Sequence, residues 1–183
     1  MIRAIVPSRL GFFYSLVRPH VELLSYFQPI VYVKLHPDTI TMREVKSGRT
    51  LTEPPVVAIS REAKKRVLGV GEAARAASTT QPADLVNPFK HPRSLLSDFT
   101  VAEVVIKGLV KKLFEGRLFV PAPIVVLHPR VDPEGGFTQI EIRALHELAI
   151  GAGASRAIIW HGRDLTDDEL LNLRFQSGGQ VLS

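Results

Sequence analysis

Cysteine is absent from the 183 residues. That absence excludes disulfides, thiolate metal sites and cysteine nucleophiles, and makes a reducing cytoplasm the expected location. No run of about 18 apolar residues occurs, so no membrane span is predicted. The amino-terminal segment is followed by no small-x-small cleavage site, which argues against a signal peptide. Aromatic residues are few, at 7%, and do not interleave with the basic pairs Lys64-Lys65 and Lys111-Lys112, so no nucleic-acid partner is expected. There is no internal repeat and no low-complexity tract.

Hydrophobic residues make up 45% of the chain, enough for one domain with a sizeable core. The net charge of +5 suits an anionic partner such as an acidic membrane face, with a solvated basic surface as the plainer reading. Residues 1–28 form a candidate helical extension broken at Pro19. Phe12, Phe13, Leu16 and Val17 would share one apolar face, flanked by Arg3, Arg9 and Arg18. Such a helix can lie in an anionic membrane surface, so Arg3, Arg9, Phe12, Phe13, Leu16 and Arg18 are the membrane-contact candidates. Packing of the same face on the domain's own core is the competing reading.

Residues 29–175 read as a single α/β subdomain. Three strands are predicted at 29–35, 39–45 and 56–60, with a turn at His36-Pro37-Asp38 and a break at Pro54-Pro55. A short strand at 67–70 and a helix at 72–78 follow. Residues 79–97, rich in Thr, Pro, Asn and Ser, read as an irregular connection. Thr100 with Glu103 predicts a capping box for a helix whose stripe is Val101, Val105, Leu109 and Leu113. PIVVLH at 123–128 and RAIIW at 156–160 are apolar runs without alternation, which suits strands covered on both faces. Thr138 with Glu141 and Thr166 with Glu169 predict two further capped helices. The tail from Gln176 is expected to fray.

Four features invite chemistry. Gly151-x-Gly153 follows a helix and precedes a strand, the reverse of a phosphate-cradling order, so helix capping is the better reading. His36, His128 and His161 each follow a buried strand, where ligands of open α/β sheets gather, and are the candidate metal ligands. No local ligand spacing supports them, and no metal is expected. Asp132 and Glu134 near His128 are a weak acid/base candidate inside what reads as a solvated turn. No serine sits in a nucleophile elbow.

Several stretches resemble one family. They are Leu51-Thr52-Glu53-Pro54-Pro55-Val56-Val57-Ala58-Ile59, Val70-Gly71-Glu72-Ala73-Ala74, Pro88-Phe89-Lys90 running to Ser97-Asp98-Phe99, and Gly151-Ala152-Gly153-Ala154 before a strand. In this order they are similar to the bacterial actin MreB over roughly residues 30–165. The resemblance implies an actin-like ATPase (ribonuclease H-like) subdomain, the first half of that fold, with a mixed five-stranded sheet and flanking helices.

The departures carry the functional expectation. The family's first phosphate loop has aspartate-leucine-glycine-threonine where this chain has Val33-Lys34-Leu35-His36-Pro37-Asp38. The family's paired glutamates after its fifth strand are replaced by Trp160-His161-Gly162-Arg163. Lys34, His36 and Asp38 thus form a degenerate loop, no catalytic residue is expected, and binding of ATP and magnesium is expected to be lost. The resemblance implies a non-catalytic protein linked to cell shape. Its expected partners are a full-length actin-like filament protein or another shape-complex protein, the inner membrane, or a second copy of itself. The alternative is a residual nucleotide- or metal-dependent hydrolase using the strand-end cleft.

Overall fold

The computed structural model describes residues 28–91 and 94–182. The helical extension expected over residues 1–28, with its membrane-contact candidates Arg3, Arg9, Phe12, Phe13, Leu16 and Arg18, lies outside the described residues apart from Gln28.

The central sheet has six strands: β1 (Ile30–His36), β2 (Thr39–Glu44), β3 (Thr50–Glu53), β7 (Ile124–Pro129), β8 (Arg156–Gly162) and β9 (Gly179–Leu182), in the order β3-β2-β1-β7-β8-β9. β1, β7 and β8 run parallel, and the flanking pairings are antiparallel. β7 is buried at every position, as its unbroken apolar run requires, whereas β2 alternates exposed and buried residues. A second sheet, β4 (Val57–Ser60), β5 (Val67–Val70) and β6 (Ala83–Val86), is antiparallel in the order β5-β4-β6 and carries helix α1 (Glu72–Thr80).

Helices α2 (Phe99–Leu113) and α3 (Gln139–Gly151) cover one face of the central sheet. Val31, Val33, Leu35, Val125, Leu127 and Ile159 point to that side and meet Val105, Leu109, Leu113, Leu145 and Leu148. The other face carries Ile30, Tyr32, Val126, Ile158 and Trp160, covered by Leu165 and Leu170 around the short helix α4 (Asp167–Asn172). Strand period two thus sends odd residues of β1 to one core and even residues to the other. Both capping boxes, Thr138–Glu141 and Thr166–Glu169, are formed as read from the sequence.

Four expectations are corrected. The third antiparallel strand of the central sheet is Thr50–Glu53, while 57–60 belongs to the second sheet. Pro54 and Pro55, lacking amide donors, end one ladder before the other begins. The sheet has six strands, not five, because the tail expected to fray supplies β9 along β8. Gly162 and Gly179 make that pairing close: a Cβ on Gly162 would overlap the Gly179 backbone. The connection at 79–97 contains β6, where pairing with β4 overrides a turn-like composition. Helix α2 is capped by Asp98, whose Oδ1 accepts from Val101 N at 3.0 Å, not by Thr100.

Glu53 joins the two sheets. It is buried, accepts the Glu72 amide at the start of α1 at 2.6 Å and pairs with Lys112 of α2. Gly71 makes room for it with φ 64° and ψ −137°, a backbone region closed to other residues, and a Cβ there would overlap the Glu53 carboxylate. Gly71→Ala is expected to destabilise the protein by about 2 kcal/mol in urea titration. A loss within experimental error would mean that the contact is not needed.

Candidate ligand site at the carboxyl ends of the central strands

The carboxyl ends of parallel strands β1, β7 and β8 form the natural ligand position of this sheet. On the α4 face they present Tyr32 and Lys34 of β1, His128 of β7, Gly162 at the end of β8 and the residues just beyond the strands, Arg130, Asp164 and Leu165. Each polar side chain is held by another.

His128 is 1% exposed. Its Nε2 lies 3.0 Å from the Gly162 carbonyl oxygen, which can only accept, and 3.3 Å from Arg130 Nη1, which can only donate; the shorter contact favours the proton on Nε2. Nδ1 then accepts from the Tyr32 hydroxyl at 2.6 Å, and the Tyr32 oxygen accepts the Leu165 amide at 3.3 Å. Burial pushes the His128 pKa down to about 4, and the Arg130 guanidinium adds to that. Burial likewise raises the Tyr32 phenol. A neutral imidazole with both nitrogens engaged offers neither a general base nor a metal lone pair.

Around this buried pair lie ion pairs. Asp164 accepts from Lys34 Nζ at 2.6 Å and from Arg130 Nη1 at 2.9 Å. The Lys34 hydrogen bond holds the Asp164 carboxyl below the usual carboxylate range. Arg43 of β2 pairs with Asp167. Arg163 meets Glu169 through Nη2 at 2.5 Å and Nη1 at 2.9 Å, and this hydrogen bonding holds the Glu169 carboxyl far below its ordinary value.

The turn from β1 to β2 has two central residues, with His36 opposite Thr39. Pro37 has no N–H, and the Asp38 N–H donates to His36 Nδ1 at 3.2 Å. Asp38 Oδ1 lies 3.3 Å from Lys90 Nζ. Neither central amide of the turn is left for an external oxyanion.

The three candidate histidines are not brought together. His36 is exposed at the turn and His128 is buried on the α4 face. His161, of opposite parity, faces the α3 side, where its Nε2 meets Asp132 Oδ1 at 2.7 Å and its ring meets the edge of Phe137. Among the described residues no group of three His, Cys, Asp or Glu side chains could hold a metal ion. Asp132 therefore serves His161 and not His128, which dissolves the acid/base set.

Sequence reasoning missed Tyr32, Arg130 and Asp164. The adjacent opposite charges Arg163-Asp164, directly after a buried strand, were the available signal. It also missed Leu118 and Phe119, which are 108% and 82% exposed in the α2–β7 loop. Two large apolar residues between Arg117 and Pro121, outside any predicted element, could have marked them. Among the described residues no helix is long and apolar enough to cross a membrane.

Comparison with known proteins gives one family. The family model described as MreB/Mbl protein matches residues 38–163. The cell shape-determining protein MreB of Haemophilus influenzae is 33% identical over 112 residues, 60% of this chain and 31% of that protein. MreB of Escherichia coli is 32% identical over 117 residues, and Mbl of Bacillus subtilis 31% over 114; each alignment takes 61% of this chain and 32% of the relative. The chain therefore spans about a third of the length of the curated relatives it matches. The crystal structure of MreB 5 of Spiroplasma citri bound to AMPPNP superposes with a TM-score of 0.54 at 23% identity, over 72% of this chain and 38% of that one. The MamK double helical filament gives a TM-score of 0.54 at 14% identity, over 72% and 40%. These likenesses establish the actin-like fold.

Proposed function

The chain belongs to the MreB/Mbl family, and from that membership we propose that it acts in the cell-shape cytoskeleton at the inner membrane as a binding component that does not turn over ATP. The observation that carries the non-catalytic part is the β1–β2 turn. Phosphate recognition by a loop needs free backbone amides and a backbone that can approach closely. Here one central amide is missing at Pro37, the other is used by His36, and Lys34 is held by Asp164. Phosphoryl transfer further needs a carboxylate for magnesium and one for water. His161 and Gly162 stand where the resemblance would place the latter, and the nearby Asp164 is committed to two cations.

Equilibrium titration with a fluorescent ATP analogue and magnesium tests this. No saturable binding is expected up to millimolar concentration. Micromolar binding would make Lys34, His36 and Asp38 a working substitute loop and overturn the reading.

The membrane part rests on Leu118 and Phe119. Fully exposed apolar side chains at a loop tip lose nothing to water when the tip enters an interface. Arg117, paired with the buried Glu44 at 3.3 Å, precedes them, and Lys46 lines the same hollow as Phe119, which leaves the patch net positive. Pro29, near the start of the described residues, lines that hollow as well. The proposed protein partner is a filament of a full-length relative. Co-sedimentation with such filaments is expected in the absence of nucleotide, and its failure at saturating filament concentration would remove that partner.

A further inference from the structure

Three cations, from β1, from β2 and from just beyond β7, meet two carboxylates in the segment that runs from the end of β8 into the first turn of α4. Lys34 of β1 and Arg130 beyond β7 converge on the two oxygens of Asp164, at 2.6 and 2.9 Å, and Arg43 of β2 meets Asp167. Lys34 and Arg43 lie on the same face of the sheet, since Lys34 and Tyr32 share parity and Tyr32 stands opposite Arg43. The cations are braced. The Lys34 ammonium sits over the Tyr32 ring, 5.7 Å from its centroid, and the Arg130 amide donates to Leu35 O at 2.7 Å. An ammonium and a guanidinium aimed at one point from neighbouring strand ends form the geometry that recognises an oxyanion. That point lies at the carboxyl edge of the parallel strands, where ligands of such sheets bind.

We propose that Lys34 and Arg130 constitute an oxyanion site whose resident ligand is the tethered carboxylate of Asp164, standing where a phosphate-type anion would otherwise sit. The tether gives Asp164 an effective concentration in the millimolar range or above, so free phosphate in the micromolar range is excluded. The consequence is a strand-end site fixed permanently in its anion-bound arrangement. The Asp164–Leu165 loop stays closed over Tyr32 and His128 without any external ligand. The inference extends the reading that this edge of the sheet does not serve ATP, and its test is separate from nucleotide binding by the unaltered chain.

The test uses the full chain and inorganic phosphate, with ionic strength matched by chloride. Asp164→Ala is expected to lower Tm and to show a saturable recovery of Tm with phosphate, its midpoint at least tenfold below any phosphate response of the unaltered protein. Adding Lys34→Met to Asp164→Ala is expected to abolish that recovery, which a general salting-out effect would not do. Equal phosphate responses in the unaltered and Asp164→Ala proteins, or an undiminished recovery in the double variant, would overturn the proposal. Should Asp164→Ala fail to fold, Asp164→Asn keeps the shape, and phosphorus NMR line broadening reads phosphate binding directly. Broadening lost with Lys34→Met supports the site, and its absence at millimolar phosphate overturns it.

Discussion

Replacing Leu118 and Phe119 together by serine is expected to weaken partition onto anionic vesicles roughly thirtyfold while leaving Tm unchanged. Full burial of a leucine or phenylalanine is worth about 1.5–3 kcal/mol each, and a loop tip entering the headgroup region realises roughly half of that. The pair then contributes about 2 kcal/mol, and each 1.4 kcal/mol is about tenfold in affinity. Tm stays because both side chains already stand in water, at 108% and 82% exposure. The net positive charge beside them, Arg117 and Lys46 against Glu44, adds a part that salt removes, since attraction to an anionic surface decays within about 8 Å at physiological ionic strength. Raising salt should therefore weaken the unaltered protein and the serine variant by a similar factor. A second variant lacking residues 1–27 separates the two candidate contacts. Unchanged vesicle binding by the serine variant, with complete loss on deleting the segment, would remove the loop from the membrane reading.

The fold was largely legible because its signals are local. The apolar runs at 124–129 and 156–160, the Thr–x–x–Glu boxes at 138 and 166, and the glycine beyond α3 each name an element by themselves. What was not legible depends on partners distant in sequence. β3 (Thr50–Glu53) is a polar tetrapeptide with only Glu53 buried, and pairing with β2 makes it a strand. β9 is likewise a strand through β8, which reaches it across a glycine contact. The same reasoning covers the site. Lys34, Arg130 and Asp164 are 34 to 130 positions apart, and no spacing in the sequence relates them. The three histidines failed as a set for a reason the sequence did contain. His128 follows Val126 on the α4 side, whereas His161 follows Ile159 on the opposite side, so strand parity alone separates them.

Parity also places His128 where its charge state governs stability. As pH falls from 6.5 to about 4, unfolding is expected to become easier by about 3 kcal/mol on account of this one residue. The unfolded chain takes up a proton on His128 below pH 6.5, whereas the folded chain, with Nδ1 accepting from Tyr32 and Nε2 donating to Gly162, resists until about pH 4. Between those values the unfolded state binds more protons, so stability rises with pH. It is fully present above 6.5, declines through the window and loses nothing further from His128 below about 4. Glu44 and Asp164 act at lower pH, because hydrogen bonds and ion pairs hold both below their ordinary values. Urea titrations at half-unit steps from about pH 7.5 to about pH 2.5 separate the two regimes. His128→Phe is expected to be less stable at pH 7, since the Gly162 carbonyl loses its donor and the Tyr32 hydroxyl its acceptor. Its stability should nevertheless be nearly flat between pH 6.5 and 4.5. A slope in that window unchanged by His128→Phe would assign the acid sensitivity to another group and leave His128 without a role in it.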